Sequence, residues 1–144
     1  MEQGLNQYLH EQFELKEVDI RTYSPLALAY IGDCVYDLVV RTVVVGKGNT
    51  GANQLHFRTS QIVKAQAQVA MIQALEDLLT EEEKDIYRRG RNAKSPTMAK
   101  NASMSDYRKA TGLEALMGYL YLTNRFERIV ELIRQGANRL ELKF

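Results

Sequence analysis

The sequence predicts an all-α fold, with one domain spanning residues 1–144. Three observations lead there. Apolar residues recur at helical spacing through most of the chain. The two prolines and nine glycines are too few to interrupt long helices. No stretch alternates apolar and polar residues as a half-buried strand would. The length is enough to bury a core without disulfides or a structural metal, and 45% hydrophobic with 26% charged residues is ordinary for a soluble globular chain.

Leu5, Tyr8, Leu9, Phe13 and Leu15 mark a short amphipathic helix within residues 1–18. Ser24 and Pro25 then open a long apolar helix, Ser as N-cap and Pro at the first helical position, and Gly46 and Gly48 close it. Residues 53–58 read as a short helix. Residues 60–79 repeat Ile62, Val69, Ile72, Leu75 and Leu79 at a helical period with alanines between them. Thr80 followed by Glu83 fits a capping box, and Glu81, Glu82 and Glu83 complement the dipole of the next helix, which ends near Gly90. Residues 90–105, GRNAKSPTMAKNASMS, lack an apolar period and are the one long loop, a length that in compact domains is usually functional or disordered. Tyr107 to Thr123 is helical with Leu113, Leu116, Met117 and Leu120 on one flank. Phe126, Ile129, Val130, Ile133, Leu140 and Leu142 support a final helix.

Composition removes several function classes. Residues 26–45 are apolar enough to raise the question of a membrane span, but Asp33, Asp37 and Arg41 lie near their centre. Inserting three such charges costs roughly 8 to 10 kcal/mol, against roughly 3 to 6 kcal/mol returned by about ten Leu, Ile and Val residues. The segment therefore reads as a buried core helix. Cys34 is the only cysteine, which excludes an intrachain disulfide and fits a reducing compartment. The N-terminal residues show no basic region followed by an apolar one, hence no visible secretory signal. A formal net charge of +1 decides nothing about nucleic acid, because a binding face depends on how charge is distributed.

Two carboxylates stand where apolar residues belong. Asp33 lies in the most apolar helix and Glu114 in the second most apolar, LEALMGYLYL. Burying an ionised carboxylate is unfavourable unless it is paired or holds a cation. Both have small neighbours, Gly32 beside Asp33 and Gly112, Ala115 and Gly118 around Glu114, so packed helices could bring them together. Oxygen ligands of this kind suit magnesium or manganese. The alternative is an ion pair, with Asp33 or Asp37 bonding Arg41 one or two turns away; Asp37 itself reads as structural. Other chemistry is thin. His10 and His56 lack zinc spacing, GKGNTG (46–51) does not match the phosphate-loop pattern, and Cys34 reads as a small core residue.

A basic stretch precedes the Glu114 helix. Arg88, Arg89, Arg91, Lys94, Lys100 and Arg108 fall close together, with Asn92 adding hydrogen-bonding groups, and no acid interrupts residues 88–101. Such an arm neutralises phosphates and follows groove shape without reading bases. Its alternative is a solvated charged loop.

These same residues carry a resemblance. LALAYIGDCVYDLVV is similar to the signature of the ribonuclease III family, a Gly-Asp pair after an apolar run, and ATGLEALMGYLYL is similar to the family's second motif, Glu-Ala-Leu followed by a small residue and an apolar helix. The spacing, the RGRNAKS segment and the lack of a double-stranded-RNA-binding domain resemble the Mini-ribonuclease III branch, over most of the chain from Leu26 onward. The resemblance implies a ribonuclease III-like helical bundle acting as a homodimer with Mg²⁺, for which Mn²⁺ can substitute. It also implies a bacterial cytoplasmic enzyme that matures precursor 23S ribosomal RNA by cutting both strands of a stem, in the setting of the large ribosomal subunit or with a ribosomal protein. By position, Asp33 and Glu114 match the family's metal-site carboxylates, and Tyr30 falls where typical members carry Phe. Typical members also have acids where this chain has Leu26, Ala29 and Thr111, a pared-down pattern that the Mini branch shares.

The expected chemistry is metal-assisted hydrolysis of a phosphodiester leaving a 5′-phosphate and a 3′-hydroxyl. One copy of each motif implies one site per chain, so cutting both strands implies a symmetric dimer. The missing acids keep one rival open, an RNA- or ribosome-binding protein with this fold and no catalysis. The second rival is a helical interaction module with no RNA role.

Overall fold

The computed structural model describes residues 4–94, 103–142 and 144. Seven α-helices follow in order among them: α1 (Leu5–Gln12), α2 (Pro25–Lys47), α3 (Ala52–Val63), α4 (Ala65–Leu75), α5 (Glu81–Asn92), α6 (Met104–Leu122) and α7 (Phe126–Arg139), with short 3₁₀ turns at Ile20–Thr22 and Glu76–Leu78. No strand occurs among the described residues, so the all-α expectation holds.

The helix starts are written in local chemistry. The Ser24 hydroxyl accepts from the Ala27 amide at 3.1 Å, with Pro25 in the first turn. Thr80 and Glu83 form the reciprocal capping box of α5, at 3.1 and 2.9 Å. Ser103 caps α6, accepting from the Asp106 amide at 3.0 Å. Asn124, at φ 62, makes the left-handed turn between α6 and α7, a conformation that Asn tolerates.

Other boundaries depart from expectation. Gly46 lies inside α2, and Gly48 caps it in an extended rather than a left-handed conformation. Gly90 lies inside α5, which runs on to Asn92. The stretch expected as a short helix plus a long one divides elsewhere, at Lys64, whose ψ of 155° is extended. No glycine or proline marks that break. The Gln68 side chain compensates it by donating to the Val63 carbonyl at 2.8 Å. At the N-terminus, Leu5, Tyr8, Phe13, Leu15 and Val18 are all exposed; α1 is fastened instead through buried Asn6, whose amide donates to the Leu122 carbonyl and to Asn124 Oδ1.

Helix α6 is the axis of the molecule, packed by α2, α4, α5 and α7. Leu113, Leu116, Met117 and Leu120 are fully buried against Val40 and Val44 of α2, Met71, Ile72 and Leu75 of α4, and Ile129 and Leu132 of α7. Burial extends around most of α6 rather than along one flank. Helix α2, expected to be buried, shows the reverse. Leu28, Ala29, Gly32, Val35, Tyr36, Val40 and Val44 face inward, while Tyr30, Leu38 and Val45 are exposed.

The α2–α6 crossing is closer than ordinary side chains allow. A Cβ on Gly32 would overlap the Glu114 carbonyl oxygen, and one on Gly118 would overlap that of Leu28. Helix α5 is held at both ends. At its start, fully buried Glu83 takes two bonds of 2.8 Å from Arg128 of α7, which also donates to the Leu78 carbonyl. Near its other end, a Cβ on Gly90 would lie 2.7 Å from that of Ala115.

Unfolding in urea should separate the glycines. Gly118→Ala forces a backbone collision and should destabilise by about 1–3 kcal/mol or more. Gly46→Ala, where a Cβ would meet nothing within 4 Å, should stabilise by about 0.5–1 kcal/mol through helix propensity. Equal effects at the two positions would contradict the close crossing.

Candidate active site

Because α2 and α6 cross through glycine, the residues next to those glycines come together. Asp33 follows Gly32 and projects from the outer face of α2, exposed to solvent. Glu114, whose own carbonyl is what Gly32 packs against, is partly buried. The Glu114 carboxyl lies within hydrogen-bonding reach of Asp33, and its pKa is pushed from 4.5 up to about 8. Burial is the largest cause, followed by the negative charge of Asp33 and the hydrogen bond to it; Gln68 opposes the shift. Without a cation Glu114 therefore keeps its proton into the neutral range beside Asp33.

The ion-pair alternative is settled residue by residue. Arg41 bonds Asp37, Nε to Oδ2 at 2.7 Å, so Asp37 is the structural partner. Among the described residues no basic side chain pairs with Asp33 or Glu114. Asp33 is not the buried acid that the apolar pattern implied, because the apolar helix presents one face to water. Cys34, expected in the core, is exposed on that same face. Tyr30 is 80% exposed there.

Where typical family members carry further acids, Ala29 and Thr111 are buried, and Thr111 turns its hydroxyl back to the Tyr107 carbonyl at 2.9 Å. No group of three or more His, Cys, Asp or Glu side chains is placed to hold a metal among the described residues. A cage made wholly of protein is thus lacking there. Two adjacent carboxyls, one kept protonated by burial and further by the charge of the other, do fit a small hard cation. Mg²⁺ is commonly bound through one or two carboxylates, with water and substrate phosphate filling the remaining positions. A divalent charge would also offset the burial and the repulsion that together hold the proton on Glu114.

The basic residues distribute unevenly. Arg88, Arg89, Asn92 and Lys94 are exposed at the end of α5 and just beyond it. Arg88 faces Asp85 at 3.5 Å. Arg91 lies over the Tyr87 ring, 5.6 Å from its centroid, and donates to Asn92 Oδ1 at 3.3 Å. No acid pairs with Arg89, Lys94 or Arg108 among the described residues. Gly90 seats this end of α5 on Gly112 and Ala115, next to Glu114 in the chain. Arg108 is exposed on α6, roughly 9 Å from Glu114 along the helix axis at 1.5 Å per residue. Lys100 lies outside the described residues.

One residue beside the pair was not expected from sequence. Gln68 of α4 is buried and contacts Glu114. Its only sequence signal is a polar residue in an alanine-rich apolar helix.

Comparison with known proteins shows which family this fold belongs to. The family model described as the ribonuclease III domain matches residues 26–125. The chain is 47% identical over 135 residues to a Mini-ribonuclease 3 of Clostridium tetani, covering 93% of this chain and 88% of that protein. It is 45% identical over 141 residues to a Mini-ribonuclease 3 of Thermoanaerobacter, covering 98% and 99%. A crystal structure of a Fusobacterium nucleatum protein superimposes with a TM-score of 0.75 at 31% identity, over 82% of this chain and 96% of that one.

The raised pKa of Glu114 has a thermodynamic consequence. The folded value of Glu114, about 8, exceeds its ordinary 4.5, so folding takes up a proton between those limits. The stability this contributes is complete below about pH 4.5 and is lost as pH rises toward 8. In EDTA, the melting temperature should fall from about pH 5 to about pH 8, and Glu114→Gln should flatten that decline. An equally steep decline in Glu114→Gln would contradict the pairing.

Proposed function

The chain belongs to the ribonuclease III family and is a ribonuclease III-type endoribonuclease of the Mini-ribonuclease III kind, and from that premise we propose that it is a single catalytic domain, residues 1–144, that hydrolyses double-stranded RNA at a Mg²⁺ site formed by Asp33 and Glu114. The observation that carries the proposal is the juxtaposition of those two carboxyls across the α2–α6 crossing. The non-catalytic alternative has no use for it, since a scaffold gains nothing from an acid held protonated beside another.

In this reading Asp33 and Glu114 hold the ion, Mg²⁺ or in its place Mn²⁺. When bound, it lowers the pKa of a coordinated water and polarises the scissile phosphate. The protein's own part is positional. Glu114 gives up its proton, so that both carboxylates present charge to the same point. Arg91 and Lys94, with Arg88, Arg89, Asn92, Lys100 and Arg108, meet the phosphates of the duplex and offset their charge. Shape recognition of this kind reads no bases. Hydrolysis leaves a 5′-phosphate and a 3′-hydroxyl.

The biological reading follows the same resemblance. One site per chain and two strands to cut are met by a homodimer with two-fold symmetry. The substrate is a stem of precursor 23S ribosomal RNA in a bacterial cytoplasm, presented with the large ribosomal subunit or a ribosomal protein. No helix among the described residues is long and apolar enough to cross a membrane.

Cleavage of a precursor 23S stem should require Mg²⁺ or Mn²⁺ and stop in EDTA. Asp33→Asn and Glu114→Gln should each lower the rate by roughly three orders of magnitude, a loss of several kcal/mol of charge stabilisation; an active double variant would end the site assignment. The double variant Arg91→Ala, Lys94→Ala should weaken duplex binding and reduce the log–log salt slope by about 2, one for each phosphate left without its cation. An unchanged slope would return the basic stretch to a solvated surface.

A further inference from the structure

Gln68 stands in the first turn of α4, buried to 4% exposure, with Ala65, Ala67 and Val69 as apolar neighbours. A buried carboxamide among such residues requires partners for both of its ends. One end is anchored, since Nε2 donates to the Val63 carbonyl at 2.8 Å, where α3 breaks. That bond fixes the direction of the rest of the side chain. The carboxamide lies against the Glu114 carboxyl. Its Oε1 is buried with no hydrogen-bond partner among the described residues. A buried acceptor without a donor is unfavourable in a folded core; once a bound cation displaces the proton from Glu114, a water held on that cation is a strong donor for Oε1.

We propose that Gln68 is the positioning residue of the carboxylate pair: anchored on the Val63 carbonyl, its side chain holds Glu114 in the orientation that a divalent cation requires and accepts a hydrogen bond from the ion's water. The inference rests on the metal-site reading above. It extends that site from two helices to three, because α4 reaches the ion through Glu114. Residues that orient metal ligands in this way typically change metal affinity about 10- to 100-fold when replaced. A residue serving only to cap the end of α3 would leave affinity unchanged.

The test is calorimetric titration of Mn²⁺ into the RNA-free protein, with thermal melts in EDTA to establish that each variant is folded. Gln68→Met keeps the length and removes both polar ends; Mn²⁺ should bind at least about tenfold more weakly. Gln68→Glu turns an additional carboxylate toward the site; Mn²⁺ should bind at least about tenfold more tightly. If one variant does not fold, the other carries the test alone. A smaller change, or one in the opposite direction, in a folded variant overturns the proposal, and so does failure of both to fold, which would make the role structural. Glu114→Gln separates the two layers. If it binds Mn²⁺ as the unaltered protein does, the metal-site reading itself fails, whatever Gln68 shows.

Discussion

Two backbones in contact are the constraint on which this molecule depends. Gly32 lies on the carbonyl of Glu114, and Gly118 lies on that of Leu28. Each helix supplies a glycine where the other supplies a carbonyl, so α2 and α6 meet without intervening side chains. Glycine inside a helix is intrinsically unfavourable by about 0.5–1 kcal/mol relative to alanine. Here that loss is offset by packing that no residue with a Cβ could reach. The contact also sets register: with Gly32 pinned at Glu114, Asp33 has little freedom to lie elsewhere.

The electrostatics follow from that register. Bringing one carboxyl against another in a half-buried position raises the energy of the doubly ionised state. The molecule tolerates this by leaving Asp33 in contact with water and by keeping a proton on Glu114. Elsewhere it treats a buried acid conventionally. Burial pushes the pKa of Glu83 up, yet the bonds from Arg128 and Thr80 outweigh it and hold the carboxyl below its ordinary value. Two buried or half-buried glutamates in one small fold thus shift in opposite directions. Burial pushes both up; at Glu83 the bonds from Arg128 and Thr80 outweigh it, whereas at Glu114 the charge of Asp33 adds to it.

Much of this was legible in the sequence, and the remainder was hidden for identifiable reasons. Ser24-Pro25 and the Thr80–Glu83 box announced their helix starts because capping is a local interaction. The Gly-Asp pair and the small residues around Glu114 pointed to the crossing because close approach has few chemical solutions. The exposure of Asp33 and Cys34 was not legible, since α2 is so rich in Val, Leu and Ala that periodicity does not distinguish its wet face from its dry one. The break at Lys64 was hidden because no glycine or proline marks it; a side chain four residues later compensates the freed carbonyl. Gln68 was missed for the same reason. Its significance lies in tertiary contacts with α3 and α6, and a single polar residue between alanines does not display them.

The fastening of α5 at both ends has a mechanical meaning. Its first turn is clamped by the Glu83–Arg128 bridge, and its last turns sit on α6 through Gly90 and Gly112. A rod held at two points resists tilting, so a pull on Arg89 or Arg91 is delivered to α6 rather than dissipated by bending. A double helix of RNA is itself stiff over the width of this protein. In the proposed complex with duplex RNA, two stiff bodies would therefore meet at α5, and curvature and groove width would bear on selectivity.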